Sequence, residues 1–200
     1  MARYDRAHTM KRIYDAAVTE FAAQGISGAR VDRIAEAAES NKALIYSYFG
    51  NKEQLFSQVL QYRLTDLAEA VSLRQDAVAE YVGDLFDFMV RNPDYPRLVQ
   101  HEAVHFALPD VPHRDSREAH YASKVAAVAG AQEVGAIDPA LDPRFVVLSL
   151  IGMVSWFVAA PQITEMVLAG AVDARVVAEY RAYLVEMANR MLRSRPADSN

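Results

Sequence analysis

Met10, Ile13, Ala17 and Phe21 fall three and four residues apart, and almost every later apolar series in the chain keeps that step. The step is the repeat of an α-helix, which gathers such residues on one face; a half-buried strand would alternate with period two. Val31, Ile34, Ala35 and Ala38 carry the pattern over a second, short helix. Ile45 and Phe49 carry it over a third, for which Asn41 is a suitable N-cap. From about Asn51 a longer stripe runs through Leu55, Val59, Leu60, Leu64, Leu67 and Val71. No segment alternates as a strand does, so the spacing predicts an all-α protein.

Gly25 and Gly50 are the expected stops of the first and third helices. Further helices are expected near 77–91, 96–107, 115–131, 143–160 and 173–192, with "LPDVPHRDS" a proline-broken loop and "GAIDPALDPRF" a turn. Asp142 followed by Pro143 reads as an N-cap and a first-turn proline. The most apolar run, Phe145 to Ala160, is shorter than the roughly 20 residues that span a bilayer. It is apolar nearly all round, so it needs cover on more than one side.

The opening segment lacks the uninterrupted apolar stretch of a secretory signal. The absence of cysteine excludes disulfides, thiolate metal ligands and a cysteine nucleophile. Both features fit a cytoplasmic protein with no membrane partner. The net charge of −5 is unevenly placed: residues 1–55 hold eight Lys/Arg against seven Asp/Glu, which leaves −6 on the remainder. A locally basic end on an acidic body can approach phosphates while the body is repelled.

One short motif points elsewhere. "HEAVH" contains His101, Glu102 and His105 in the H-E-x-x-H spacing that puts two imidazoles and a carboxylate on neighbouring turns of a helix. A zinc-dependent hydrolase would also need a third protein ligand. Leu108 and Val111 stand where the extended motif has glycine and histidine, and nothing marks Glu118 or Glu133 for that role. The hydrolase is therefore kept as the alternative reading, and no catalytic residue, metal or cofactor is expected. Helical spacing puts Glu102 on the Leu98/Val99/Phe106 side with the two histidines at its edge. They are then rim-of-core groups, ligand contacts or a metal-binding effector site.

The segment "VDRIAEAAESNKALIYSYFGNKEQLF", residues 31–56, pairs two short helices across a turn of three or four residues. That is helix-turn-helix spacing, in which the second helix enters the major groove with its N-terminal residues at the bases. Those residues are Asn41, Lys42, Ala43 and Leu44, followed by Tyr46, Tyr48 and Lys52, whose hydroxyls and ammonium suit phosphate oxygens. An ordinary α-hairpin has the same spacing. Ile34–Ala35, Lys42, "IYSYF" from Ile45, "NKEQLF" from Asn51 and the preceding "EFAAQG" together resemble the N-terminal signature of the tetracycline-repressor (TetR) family of bacterial regulators.

The resemblance implies a three-helix DNA-binding head on a larger helical ligand-binding and dimerisation body. The division is then 1–51, 52–195 and a polar tail, 196–200. It implies double-stranded DNA with a palindromic operator as partner and a small-molecule effector that relieves repression. It also implies a homodimer formed through the helices around 143–160 and 173–192. By position, Arg30, Lys42, Tyr48 and Lys52 become phosphate contacts, and Asn41, Ala43, Leu44, Tyr46 and Ser47 face the groove or its rim. The chain departs from the family pattern at Glu39, where glycine is usual, at Ser40, usually apolar, and at Leu44, often threonine. A leucine there can touch a thymine methyl but cannot hydrogen-bond a base. In the body, Tyr62, Phe88, Met89, His101, His105, Tyr121 and Trp156 are the residues expected to meet an effector, with core filling as the competing role of each.

Overall fold

The computed structural model describes the backbone of residues 2–193 and the side chains of 6–193, so the tail at 196–200 lies outside the described residues. All regular structure among them is helical. The elements are α1 (Ala2–Gly28), α2 (Val31–Ala37), α3 (Lys42–Phe49), α4 (Lys52–Ala70), α5 (Glu80–Arg91) and α6 (Asp94–His105). After a single 3-10 turn at Leu108–Asp110 follow α7 (Arg114–Glu133), α8 (Pro143–Ala159), α9 (Pro161–Leu168) and α10 (Ala174–Leu192). The fold class and the helices expected from spacing are all present. The short α9 is an addition, begun by Pro161 in its first turn and closed by left-handed Ala169, φ 52°.

The helices form two compact units. The first takes the chain up to Leu67 and then Pro93–Arg114; the second takes Ala68–Asn92 and everything from Asp115. Neither edge falls at the 51/52 boundary read from sequence. The reason is burial: Leu55, Phe56, Val59 and Leu60 of α4 and Leu98 of α6 share one core with Ile13, Phe21, Ile34 and Ile45. Phe21 and Phe56 meet edge to face at 5.2 Å, and Tyr14 stacks on Tyr62 at 5.2 Å. Each such side chain contributes about 1.5–3 kcal/mol when fully buried. Exposed ion pairs such as Lys11–Asp15 add little beside this, because water screens them. The unit is held by its core.

Gly25 does not simply end α1. It leaves helical geometry at φ 67°, ψ 177°, and one further turn runs on to Gly28. That region of backbone space is essentially reserved for glycine. A Cβ at this point would lie 3.0 Å from Nδ1 of His101 on α6.

In the second unit α5 packs against α8 and α10. Phe86, Phe157 and Tyr180 form an aromatic cluster, with Phe157 and Tyr180 stacked at 4.5 Å. Arg181 joins α10 to α5 through Asp87 at 2.8 Å and passes so close to Gly83 that a Cβ there would meet its guanidinium at 2.8 Å. Asp142 and Asp173 cap α8 and α10 by accepting from Arg144 N–H and Val176 N–H. The expectation that α8 is covered on more than one side is met only in part within one chain. Val146, Val147, Leu150, Val154 and Phe157 are buried, but Phe145, Leu148 and Trp156 stay 60–68% exposed along a single stripe. No single helix among the described residues is long and apolar enough to cross a membrane.

Gly25→Ala is expected to destabilise the protein by roughly 1–3 kcal/mol, because alanine must hold a glycine-only conformation against His101. Urea unfolding of the two proteins measures this, and equal midpoints would show that the break is not there in solution.

Candidate functional site

α2 buries Val31, Ile34 and Ala35, and its end sets where α3 begins. Glu39 adopts the left-handed conformation, φ 47°. Its N–H donates to the Glu36 carbonyl at 3.0 Å, and Ser40 N–H donates to Ala35 at 2.8 Å. This pair of bonds is the Schellman closure that normally uses glycine. The turn is thus the ordinary left-handed one, made with glutamate. A side chain in that conformation costs on the order of 1 kcal/mol, which is why glycine is usual at this position. Arg12 of α1 reaches the Glu39 carboxylate at 2.8 Å. The neighbouring Ser40 Oγ is buried with no hydrogen-bond partner, in keeping with a position that usually holds an apolar residue.

α3 is capped by Asn41, whose side-chain oxygen accepts from Leu44 N–H at 2.8 Å. That oxygen is therefore committed to the helix. Ile45 and Phe49 are buried, which turns Lys42, Ala43, Tyr46 and Ser47 outward on the opposite face. Leu44 and Tyr48 are half-buried at its margins, and the Arg6 guanidinium lies over the Tyr48 ring at 4.9 Å. Lys42 is paired with Asp32 at 3.0 Å, both half exposed. So exposed a pair is worth little, and phosphate can compete for the ammonium. Arg30 is exposed beside the start of α2.

Lys52 has a role that spacing did not suggest. Its ammonium donates to the carbonyls of Ser27 and Ala29, at 3.1 and 3.3 Å, where the end of α1 leaves carbonyls without helical donors. Gly50, φ 82°, ends α3, and Asn51 with Gln54 forms a reciprocal capping box that starts α4.

The HEAVH segment is the last turn of α6, and its three polar residues diverge. His101 Nε2 lies 3.4 Å from the carbonyl of Ala22, and His105 Nε2 lies 3.3 Å from Glu53 Oε1 on α4. Glu102 is 5% exposed on the buried face with Leu98. Among the described residues no group of three or more histidines and carboxylates is placed to hold a metal ion. The imidazoles are spent on α1 and α4, which removes the geometric basis of the hydrolase alternative.

The seven residues expected at an effector do not share one lining. Tyr62, His101 and His105 belong to the first unit with the contacts given above. Phe88 and Met89 are buried in the second unit. Trp156 borders an apolar cavity of about 130 Å³ with Phe157, Ile163, Thr164, Val167, Leu168 and Tyr180. A cavity of about 300 Å³ in the same unit is lined by none of the seven; its walls come from Gln75–Glu80, Ala136, Ile137 and the end of α10. Tyr121 is 39% exposed on α7. One turn on, Lys124 is only 7% exposed, with its ammonium 4.7 Å from the centre of the Tyr81 ring. A ring face gives a cation about 0.5–2 kcal/mol, whereas taking the ion out of water costs several. Burial pushes the Lys124 amine down, and burial together with the nearby lysine pushes His120 down. Burial raises the Tyr81 hydroxyl. Lys124 was not singled out from sequence, although Tyr121, Lys124, Val128 and Ala131 lie on one helical stripe that is otherwise apolar.

A short helix held by its inner face, with its outer face open, on a left-handed turn from a preceding helix, defines a helix-turn-helix DNA-binding regulator. The comparisons with known proteins agree. Residues 13–59 match the family model for bacterial regulatory proteins of the tetR family, and residues 77–190 match the model for the tetracyclin repressor-like C-terminal domain. The chain is 41% identical over 170 residues to the HTH-type transcriptional repressor SCO4008 of Streptomyces coelicolor, covering 85% of this chain and 88% of that protein. It is 36% identical over 107 residues, half of each chain, to the HTH-type transcriptional repressor NicS of Pseudomonas putida. The crystal structure of the transcriptional regulator SCO4942 from Streptomyces coelicolor superposes with a TM-score of 0.81 at 36% identity, covering 94% of this chain and 99% of that one. FadR from Bacillus subtilis, in complex with stearoyl-CoA, shares the fold at a TM-score of 0.67 and 19% identity, covering 92% and 99%. The chain belongs to the TetR family of transcriptional regulators.

Replacing Glu39 by glycine and by alanine removes the Arg12 pair equally, so their difference isolates the backbone. The glycine variant is expected to be the more stable by about 0.5–1 kcal/mol in urea unfolding. An alanine variant of equal or greater stability would exclude a left-handed residue 39.

Proposed function

We propose that this protein is a repressor that binds a palindromic operator as a homodimer and is released by a small-molecule effector. The observation that carries the reading is the outward face of α3. Lys42, Ala43, Tyr46 and Ser47 stand free of the core while Ile45 and Phe49 anchor the helix behind them. On this reading Lys42, Arg30 and Tyr48 meet phosphates and fix register. Ala43, Leu44, Tyr46 and Ser47 face base edges or the groove rim, with Asn41 holding the helix start beside them. Lys52 acts through the backbone carbonyls it ties together, so its effect on binding is positional. The functional division remains a DNA-binding head, 1–51, and a regulatory body, 52–195, acting in the cytoplasm where the chromosome is.

A second copy of the chain is the cover proposed for α8. Phe145, Leu148 and Trp156 on α8 and Tyr183 on α10 are large apolar side chains more than half exposed. Large apolar side chains left open on two helices that pack together are the kind of surface an interface covers. Two heads on one dimer match two half-sites about 34–36 Å apart. The effector would act by binding one arrangement of the dimer more tightly than the other.

Selection from random duplex DNA followed by anisotropy titration at two salt concentrations tests the DNA reading, and recovery of no preferred sequence would sink it. With the selected site, Lys42→Ala is expected to weaken binding to all sequences alike and to lower the slope of log K against log[salt] by about 1. Leu44→Ala is expected to change preference at one base position, by about 1–3 kcal/mol. Unchanged preference removes Leu44 from the groove.

Leu148→Glu places a charge in the proposed interface. Sedimentation should show the wild-type dimer become a monomer whose helical content by circular dichroism is unchanged. A variant that stays dimeric would place the interface elsewhere.

A further inference from the structure

Three polar or charged side chains are buried among the described residues: Glu102, Lys124 and Thr164. Thr164 donates to the Phe157 carbonyl at 3.1 Å, and Glu102 is not without a partner. Lys124 differs. No carboxylate, carbonyl or hydroxyl among the described residues lies within bonding reach of its ammonium, which has only the face of the Tyr81 ring.

Its surroundings make the lack more pointed. One turn before it on α7 stand His120 and Tyr121, which offer an imidazole and a second aromatic ring. One turn after it, Val128 is fully buried. Across from it, Tyr81 is itself 3% exposed. The residue is buried along its stem, and its ammonium, which keeps some contact with solvent, lies in an aromatic and apolar setting with no negative partner. Burial lowers the affinity of the amine for its proton, and an arriving anion would raise it again.

We propose that Lys124 is the anchor of an effector site in the second unit, and that the effector is an organic anion carrying one carboxylate on an apolar or aromatic body. A single point-charge ammonium suits one carboxylate; phosphate groups are more often met by several cations or an arginine fork. Tyr121, 39% exposed, supplies ring surface for the body of the ligand, while Tyr81 holds the ammonium from beneath. Tyr121 and His120, both part-exposed, mark the side from which it enters. This inference rests on the reading of the chain as an effector-released regulator and gives that effector a chemical class.

The test uses the full-length protein and matched pairs of probes: benzoate against benzyl alcohol, phenylacetate against 2-phenylethanol, and octanoate against octanol, at constant ionic strength. At least one acid is expected to bind at least tenfold more tightly than its neutral partner, read by thermal shift and calorimetry. The preference should vanish in Lys124→Met and in Lys124→Gln, two variants chosen so that a folding defect in one does not decide the result. Without probe, Lys124→Met should melt no lower than the wild type, since the ammonium has no carboxylate partner to lose and the methionine keeps the buried apolar stem. Equal binding of acid and alcohol, an acid preference that survives both substitutions, or no binding of any acid overturns the proposal. Operator binding is measured on the same samples without probe. Intact operator binding with no acid preference refutes the anion site alone, whereas loss of sequence-specific DNA binding in the wild type refutes the regulator reading itself.

Discussion

A helix of eight residues is not stable by itself in water, because nucleation costs more than so few hydrogen bonds return. α3 exists because Ile45 and Phe49 are buried in the core of the first unit, 1% and 2% exposed. Everything the outer face does depends on that docking. It fixes which residues point outward, it holds the pitch of the helix, and it leaves Ala43, Tyr46 and Ser47 outside the core, with Lys42 held only by an exposed ion pair to Asp32. The surrounding devices serve the same end. Asn41 caps one terminus, Gly50 closes the other, and the Asn51–Gln54 box starts α4 at once. Lys52 ties that start back to the end of α1 through two carbonyls.

The turn at Glu39 shows how a local cost is tolerated. The backbone bonds that close α2 need a left-handed residue, and the chain places a glutamate there. The ion pair with Arg12 is too exposed on the Glu39 side to offset the strain in full. What holds the turn is the pair of helices on either side, each anchored by fully buried isoleucine, Ile34 and Ile45. Tertiary packing has overruled local preference, as it does wherever a core over-determines the backbone.

Helix positions were legible because their apolar residues keep the helical step, and because Asn41, Asp142, Pro143 and Gly50 act locally. The helix-turn-helix was legible for the same reason, and so was the burial of Glu102 on the Leu98 side of α6. Other features depend on partners far away in sequence. Nothing in "DYPRLVQHEAVH" says that Leu98 fills the core of residues 13–60 or that His101 meets Gly25 and His105 meets Glu53. The i, i+4 histidines looked like a metal site only while those neighbours were unknown. The role of Lys52 was hidden for the same reason. α9 gave a weak signal, Pro161 before a few apolar residues, and much of its apolar surface remains open. Lys124 needed the position of Tyr81, 43 residues earlier, before its isolation could be seen.

The first unit is discontinuous, and this affects how the protein is made. Its core closes only when Leu98 arrives, yet α1 to α4 are synthesised before α5 and α6. At about 5–20 residues per second, a few seconds separate the appearance of Leu67 from that of Leu98. During that interval Phe21, Phe56 and their neighbours lack the side chain that completes their cover. The nascent head therefore waits, partly open, for a piece of chain that lies beyond α5. A fragment ending after α4 keeps every residue of the outward face of α3 and lacks this closure. Shortening this protein to its DNA-contacting segment removes part of what makes that segment fold.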